Sequence, residues 1–424
     1  MAKLAIKGGR PIISDGLKIK WPIFDEADEK ALIEVLKSDH WCSCGYLFKN
    51  AQLESKVAKF EREFAKWNGT NYAIATNSGT SALVLALKAG GIEAGDEVII
   101  PAVTYVSSGT AVVLANAIPI FVDIDPETYQ ISPQAVEEAI TNKTKAIMPV
   151  HYGGYPANMD RIIEIATKHG LLVIEDAAEA HGSEWRGKKV GSIGDMGCFS
   201  FQMGKPLTCG EGGIVLTNNE DLAVKCYSYG DLGRMPIEKG GTKYDTYISA
   251  GNYRMSEFLG ALLSVQLSRL DEQTQMRYEN GEYFARELEK IEGISALKRD
   301  PRVTKRGYYF YFLRYDPSRW DNISRDKFMK ALSAEGVPCS TAHNDPMYKN
   351  IVFYKNAFGR TGCPVSCPFY GKKVDYSKFH CSETERIYKS EVVALAKDFL
   401  MERENVDKIL EVIYKIRENI GELK

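Results

Sequence analysis

Residues 197–215 read GCFSFQMGKPLTCGEGGIV, an apolar run, a lysine on a short connection, and a glycine-rich return into a second apolar run. This pattern predicts two strands, Gly197–Phe201 and Gly213–Leu216, with the lysine between them. Lys205 stands between Gly204 and Pro206, and Gly210, Gly212 and Gly213 follow, which places it on a turn and not on a helix face. A turn lysine is by default a solvated one. If buried, its ammonium is expected to have a lowered pKa through desolvation, which fits a lysine for work as nucleophile, imine partner or general base. Its surroundings decide between the two readings.

Working outward, the chain from about residue 70 alternates β-rich runs with helical ones. Strands are predicted at Tyr72–Thr76, Glu97–Pro101, Ile118–Asp123, Ala146–Val150 and Leu171–Glu175, with helices at Ser81–Ala89, Pro133–Ile140 and Asn158–His169 between them. Such alternation predicts an α/β fold on a large, mostly parallel sheet. Past about residue 220 the rhythm changes. A long helix from Ser256 through Asp271 runs on towards Ile291, followed by a strand at Tyr308–Arg314 and helices at Arg325–Glu335 and Val406–Ile420. We place a large domain with its N-terminal segment at residues 1–275 and a smaller α+β domain at 276–424. Residues 354–380, rich in Gly, Pro, Cys, Lys and Tyr, predict an irregular surface excursion.

The 424 residues, 44% apolar and 26% charged, suffice for two domains and a substantial core. Fifty-four basic against 56 acidic side chains leave a formal charge of -2, which makes no electrostatic case for nucleic acid or an anionic membrane. The expected partner is a small molecule. The N-terminal MAKLAIKGGRP has no signal-like apolar core, and no run approaches the roughly 20 apolar residues that span a bilayer. A cytoplasmic location is expected. Nine scattered cysteines predict reduced thiols. The spacings of Cys42 with Cys44, and of Cys363, Cys367, His380 and Cys381, do not match the usual zinc sites, so no metal is expected.

Three further segments carry chemistry. TNSGTSALVLAL, Thr76–Leu87, passes from a strand into a helix, where the N–H groups of Gly79, Thr80 and Ser81 form an anion seat in outline; a plain N-cap needs only one of these polar residues. LLVIED, Leu171–Asp176, ends in carboxylates where open α/β sheets place ligands. Asp176 there could pair with a protonated ring nitrogen or merely cap the next loop, and Glu179 and His181 follow closely. In PAVTYVSS, Pro101–Ser108, Tyr105 could stack on a flat ligand. His151 could line the same cleft or serve the core. A phosphate seat, a ring-nitrogen partner, an aromatic lid and a lysine for an aldehyde together match pyridoxal 5′-phosphate.

The motifs NSGTSAL, IIPAVTYVSS, IEDAAEAHGS, GCFSFQMGKPLTCGEGG and GNYRMSEFLGALLSVQL, in this order over nearly the whole chain, resemble the DegT/DnrJ/EryC1/StrS family of pyridoxal-phosphate-dependent sugar aminotransferases. The resemblance implies a fold type I architecture: a large mixed, mostly parallel seven-stranded sheet domain and a smaller α+β C-terminal domain. It makes Lys205 the imine-forming lysine that moves the proton, and Asp176 the partner of the pyridine nitrogen. Tyr105 would stack on the ring, and Gly79, Thr80 and Ser200 would hold the phosphate. Asn252 would reach the site of a neighbouring subunit, implying a homodimer with shared sites. Glu179 falls near the cofactor's phenolic oxygen, where many relatives carry glutamine or histidine; an ionised carboxylate accepts hydrogen bonds and does not donate them.

Dehydratase relatives carry histidine in place of the lysine, so Lys205 implies transamination. The amino donor would be L-glutamate or L-glutamine and the acceptor a keto sugar or keto cyclitol. CPVSCPFYGKKVDYSKFHC resembles aminotransferases acting on scyllo-inosose-like cyclitols. A nucleotide-linked 4-keto sugar, as in perosamine synthesis, is the alternative acceptor. A non-catalytic cofactor-binding regulatory protein on the same fold is the alternative of another class, against which Lys205 and Asp176 weigh. Arg234, Arg254, His343, Tyr348 and Lys349 are candidate substrate contacts among which spacing does not choose.

Overall fold

The computed structural model describes residues 3–44, 54–242, 245–343 and 345–424. Seven strands form one sheet: β1 (Tyr72–Thr76), β2 (Glu97–Pro101), β3 (Ile118–Val122), β4 (Thr144–Ile147), β5 (Leu172–Asp176), β6 (Met196–Ser200) and β7 (Gly213–Thr217). Their order is β1-β7-β6-β5-β4-β2-β3. The pairings from β3 across to β6 are parallel, and β7 runs antiparallel to both β6 and β1. All seven predicted strands are present. β4 ends before its predicted limit because Pro149 has no N–H to continue the ladder; Val150 makes an isolated bridge to Asp176 instead.

Burial explains the apolar runs. Every residue of β2, β6 and β7 is buried, as a sheet covered on both faces requires. Val98 and Ile100 join a core with the helices Gly79–Ala89 and Val106–Leu114, whereas Ile99 between them joins a core with the helices Pro133–Ala139 and Met159–His169. The helix Glu257–Leu288 spans about 48 Å at 1.5 Å per residue. Its first half packs Leu263, Leu267 and Leu270 against the sheet domain, and its second half packs Phe284 and Leu288 into a different core.

That second core lies under a three-stranded antiparallel sheet of β8 (Ile294–Ala296), β9 (Phe310–Tyr315) and β10 (Val392–Ala396), with β9 in the centre. The helices Arg325–Ala334 and Arg403–Glu418 close it around Trp320 and Phe328. β9 begins two residues later than predicted, because Tyr308 adopts φ +47°, a left-handed conformation that interrupts an extended strand. Among the described residues no helix is long and apolar enough to cross a membrane, and all nine cysteines are free thiols.

Residues 354–380 are irregular, as predicted, but they are not a surface excursion. Val365, Tyr370, Val374 and Tyr376 are buried against the β2–β3 side of the sheet. Tyr376 donates to the Pro119 carbonyl at 3.0 Å and Tyr370 to Glu97 Oε1 at 2.7 Å. The segment thereby covers an edge that would otherwise offer unpaired backbone groups. Glu97 is 1% exposed and is also held by Thr141 and Thr144. Tyr370→Phe is expected to cost about 1.5–3 kcal/mol, the worth of a hydrogen bond to a charged group, read as a lower urea midpoint at unchanged m-value.

Candidate active site

The carboxyl ends of the parallel strands meet Tyr309, Phe310, Ala342 and His343 from the later part of the chain around a cavity of about 560 Å³. Seven of the eight residues anticipated from the sequence line it: Gly79, Thr80, Tyr105, Asp176, Glu179, Ser200 and Lys205. Asn252 does not line this pocket; it is exposed, bridged to Asp231 and accepting from Arg254 N–H at 3.3 Å.

One end of the cavity is the start of the helix Gly79–Ala89. Ser78 caps it, its Oγ accepting from Ser81 N–H at 3.1 Å, and the first regular helical bond runs from Ala82 N–H to the Ser78 carbonyl at 3.0 Å. Helix geometry leaves the N–H groups of Gly79 and Thr80 without partners inside the helix. The Thr80 hydroxyl donates to Ser107 Oγ at 2.9 Å. A side chain at Gly79 would meet Ser200 Cβ at 2.6 Å, and one at Gly213 would meet the Ser78 carbonyl oxygen at 2.3 Å. Both glycines are therefore needed for the helix start to lie against the ends of β6 and β7.

β5 ends in two carboxylates with separate duties. Glu175 is fully buried and bonded to His151 Nε2 at 2.9 Å and to the N–H groups of Gly191, Ile193 and Gly194 at 2.7–2.8 Å. His151 accepts from Ala157 N–H through Nδ1, so it belongs to the core and not to the cleft. Asp176 faces the pocket, accepting from Ser108 Oγ at 2.7 Å and Ala178 N–H at 3.2 Å. Burial pushes its carboxyl pKa up, against the opposing pull of those bonds.

Lys205 is held on a tight loop between β6 and β7. Its N–H donates to the Gln202 carbonyl at 2.8 Å, and Trp21 from the N-terminal segment donates to the Met203 carbonyl at 2.7 Å. The ammonium reaches into the cavity, with Nζ 3.4 Å from Glu179 Oε1 and 4.0 Å from the centre of the Tyr309 ring. The lowered pKa anticipated from desolvation is not found. Burial does push this group down, but Glu179, Tyr309 and Asp176 outweigh it and hold the lysine above its ordinary value.

Glu179 is fixed from behind by Gly153 N–H, donating to Oε2 at 2.8 Å. His181 is fully buried on the rings of Phe199 and Phe201, and desolvation keeps it neutral. Of the five candidate substrate contacts, His343 alone is among the lining residues, 6.0 Å from Tyr105 between ring centres. Arg234 and Arg254 pair with Asp231, while Tyr348 and Lys349 bind Glu385. Sequence reasoning missed Tyr309 and Ser108. Ser108 lay within the quoted PAVTYVSS, whereas nothing local distinguishes Tyr309 from its aromatic neighbours.

Gly153 has φ +67°, and a Cβ there would sit 2.3 Å from a ring carbon of buried Phe312. Gly153→Ala is therefore expected to destabilise the chain by at least about 2 kcal/mol, measured by denaturant unfolding.

Comparison with known proteins places the chain in a family. The model of the DegT/DnrJ/EryC1/StrS aminotransferase family matches residues 22–414. The L-glutamine:scyllo-inosose aminotransferase of Streptomyces griseus is 34% identical over 429 residues, covering 100% of this chain and 99% of that protein. The L-glutamine:2-deoxy-scyllo-inosose aminotransferase of Streptoalloteichus tenebrarius is 34% identical over 436 residues, covering 99% of each. The crystal structure of a 3-amino-5-hydroxybenzoic acid synthase superposes with a TM-score of 0.80 at 31% identity, covering 95% of this chain and 100% of that one.

Proposed function

The chain belongs to the DegT/DnrJ/EryC1/StrS aminotransferase family, and we propose that it uses pyridoxal 5′-phosphate to move an amino group from L-glutamine to a keto cyclitol of the scyllo-inosose kind. The observation that carries this reading is the meeting of Lys205, Asp176 and the bare helix start at Gly79 and Thr80 in one cavity.

The residues fit that cofactor. The N–H groups of Gly79 and Thr80, with the hydroxyls of Thr80 and Ser200, suit a phosphate at a helix N-terminus. Asp176, destabilised by its burial, suits a cationic ring nitrogen, and Ser108 and Ala178 orient it. Tyr105, 57% exposed at the pocket wall, offers a face for a flat ring. When bound, the cofactor supplies an aldehyde that joins amines and a cationic ring that draws electrons from the carbon beside the nitrogen. Asp176 keeps that ring charged. Lys205 Nζ, which reaches into the cavity, would act there as general base and then general acid, taking a proton from the substrate carbon and returning it. Tyr309 and His343, brought from the smaller domain, close the cavity over it.

The relatives named for glutamine and inososes support the donor and acceptor. Among the described residues, Lys205 is the only lysine or arginine that lines the pocket, which suits an uncharged polyol better than a sugar carrying a diphosphate. In this reading residues 1–275 form the cofactor-binding unit and 276–424 the smaller one. The working form is a homodimer in which Asn252 of the partner subunit completes the phosphate seat.

The purified holoenzyme should show a visible cofactor band that converts to the pyridoxamine form on adding L-glutamine; a band unmoved by either L-glutamine or L-glutamate removes the transaminase reading. Lys205→Ala should lose at least about 1000-fold in turnover, the scale of a positioned acid–base group. In an acceptor screen, scyllo-inosose-type ketones should be aminated. Turnover confined to nucleotide-linked 4-keto sugars would sink the cyclitol assignment.

A further inference from the structure

A lysine that is to capture an aldehyde must first lose a proton, because the bond to carbon is made by the nitrogen lone pair. Lys205 is placed against that requirement. Its ammonium faces the Glu179 carboxylate at 3.4 Å, and both groups are nearly out of water, with side chains 11% and 6% exposed. Glu179 cannot swing away freely, since Gly153 N–H holds its other oxygen at 2.8 Å and the Gly153 backbone is itself wedged against Phe312.

We propose that Glu179 governs uptake of the cofactor: its carboxylate keeps Lys205 in the ammonium form while the pocket awaits the cofactor, and accepts the proton that the lysine must shed on capture. This rests on the reading of Lys205 as the residue that joins the aldehyde. The step balances. One ammonium proton passes to Glu179, the carbon–nitrogen bond forms, the two remaining nitrogen protons leave with the aldehyde oxygen as water, and the proton on Glu179 returns to the nitrogen.

Other groups around the lysine do not replace Glu179. Asp176 acts on Lys205 through charge alone and is committed to Ser108 and Ala178. Tyr309 lies with its ring centre 4.0 Å from Nζ and also favours the ammonium, but burial pushes its hydroxyl pKa up, so it is a weaker acceptor for the proton than a carboxylate. His181 and His343 are both driven towards the neutral form by burial. Lys397, beyond β10, is desolvated down to about 8 and is bound to Asp398 at 2.8 Å, so it opposes a charge on Lys205 and does not stabilise it. Burial of Lys205 itself works in the same opposing direction, and Glu179 is the first of the groups that overcome it.

Glu179→Gln separates charge from shape, because the amide oxygen can still accept from Gly153 N–H while the negative charge is gone. The measurement is the rate at which the full-length chain, stripped of cofactor, captures pyridoxal 5′-phosphate at Lys205, followed by absorbance and fixed by borohydride trapping with peptide mass analysis. At pH 7.5 the Gln variant should capture about tenfold faster than wild type, because with the carboxylate charge gone more of the lysine is present as the free amine. Glu179→Asp, which keeps the charge, should stay closer to wild type than to the Gln variant. Wild-type capture should climb with pH without a plateau below pH 9. A plateau below pH 9, or a Gln variant no faster than wild type, overturns the proposal while leaving the aminotransferase reading intact. If wild type captures no cofactor at Lys205, that reading falls and this inference falls with it.

Discussion

Taking an ammonium group out of water costs several kcal/mol unless a counter-charge is buried with it, and the pocket end of the sheet is built to meet that condition for Lys205. The parallel run from β3 to β6 sets its carboxyl ends along one edge, so the end of β5 and the loop after it deliver Asp176 and Glu179 where the β6–β7 connection delivers the lysine. Three carboxylate residues, Asp176, Glu179 and Glu211, line the pocket against one ammonium, so its described lining is short of positive charge. In the proposed reading, a cofactor with a cationic ring nitrogen would redress that balance at Asp176, and its phosphate would find donors at the helix start.

Holding this cluster together takes parts of the chain that are far apart. Trp21 fastens the lysine loop through the Met203 carbonyl, and Lys397 covers the Trp21 ring at 4.0 Å. Tyr309 donates its N–H to the Gly153 carbonyl at 2.9 Å and accepts from Lys397 N–H at 3.2 Å. The N-terminal segment, the large sheet and the smaller domain are thus all tied to the same few ångströms around Nζ. The long helix Glu257–Leu288 supports the arrangement by contributing to a core on either side of it.

Glu179 also gives the site an electrostatic character that glutamine at this position would not. An amide satisfies Gly153 but adds no charge, whereas the carboxylate offsets the desolvation of Lys205.

The seven strands and the helix start at Gly79 were legible in the amino-acid order, because an apolar run that must be buried on both faces and a polar cap before a periodic helix are local patterns. Seven of the eight residues anticipated from the motifs and the family resemblance line the pocket. Residues 354–380 were legible only as irregular; that Tyr370 and Tyr376 bury themselves on the sheet depends on Glu97 and Pro119, more than 250 positions away. Tyr309 likewise carries no local mark, and His343 was only one of five candidates among which spacing did not choose; both line the cavity because the later part of the chain folds back over it. The charge state of Lys205 shows the division most plainly. The turn was readable from the neighbours of Lys205, whereas its burial was only a condition there, and burial alone lowers an ammonium's pKa; the carboxylates that reverse the sign reach it only in the folded chain, since electrostatic energy follows distance in space and not separation along the chain.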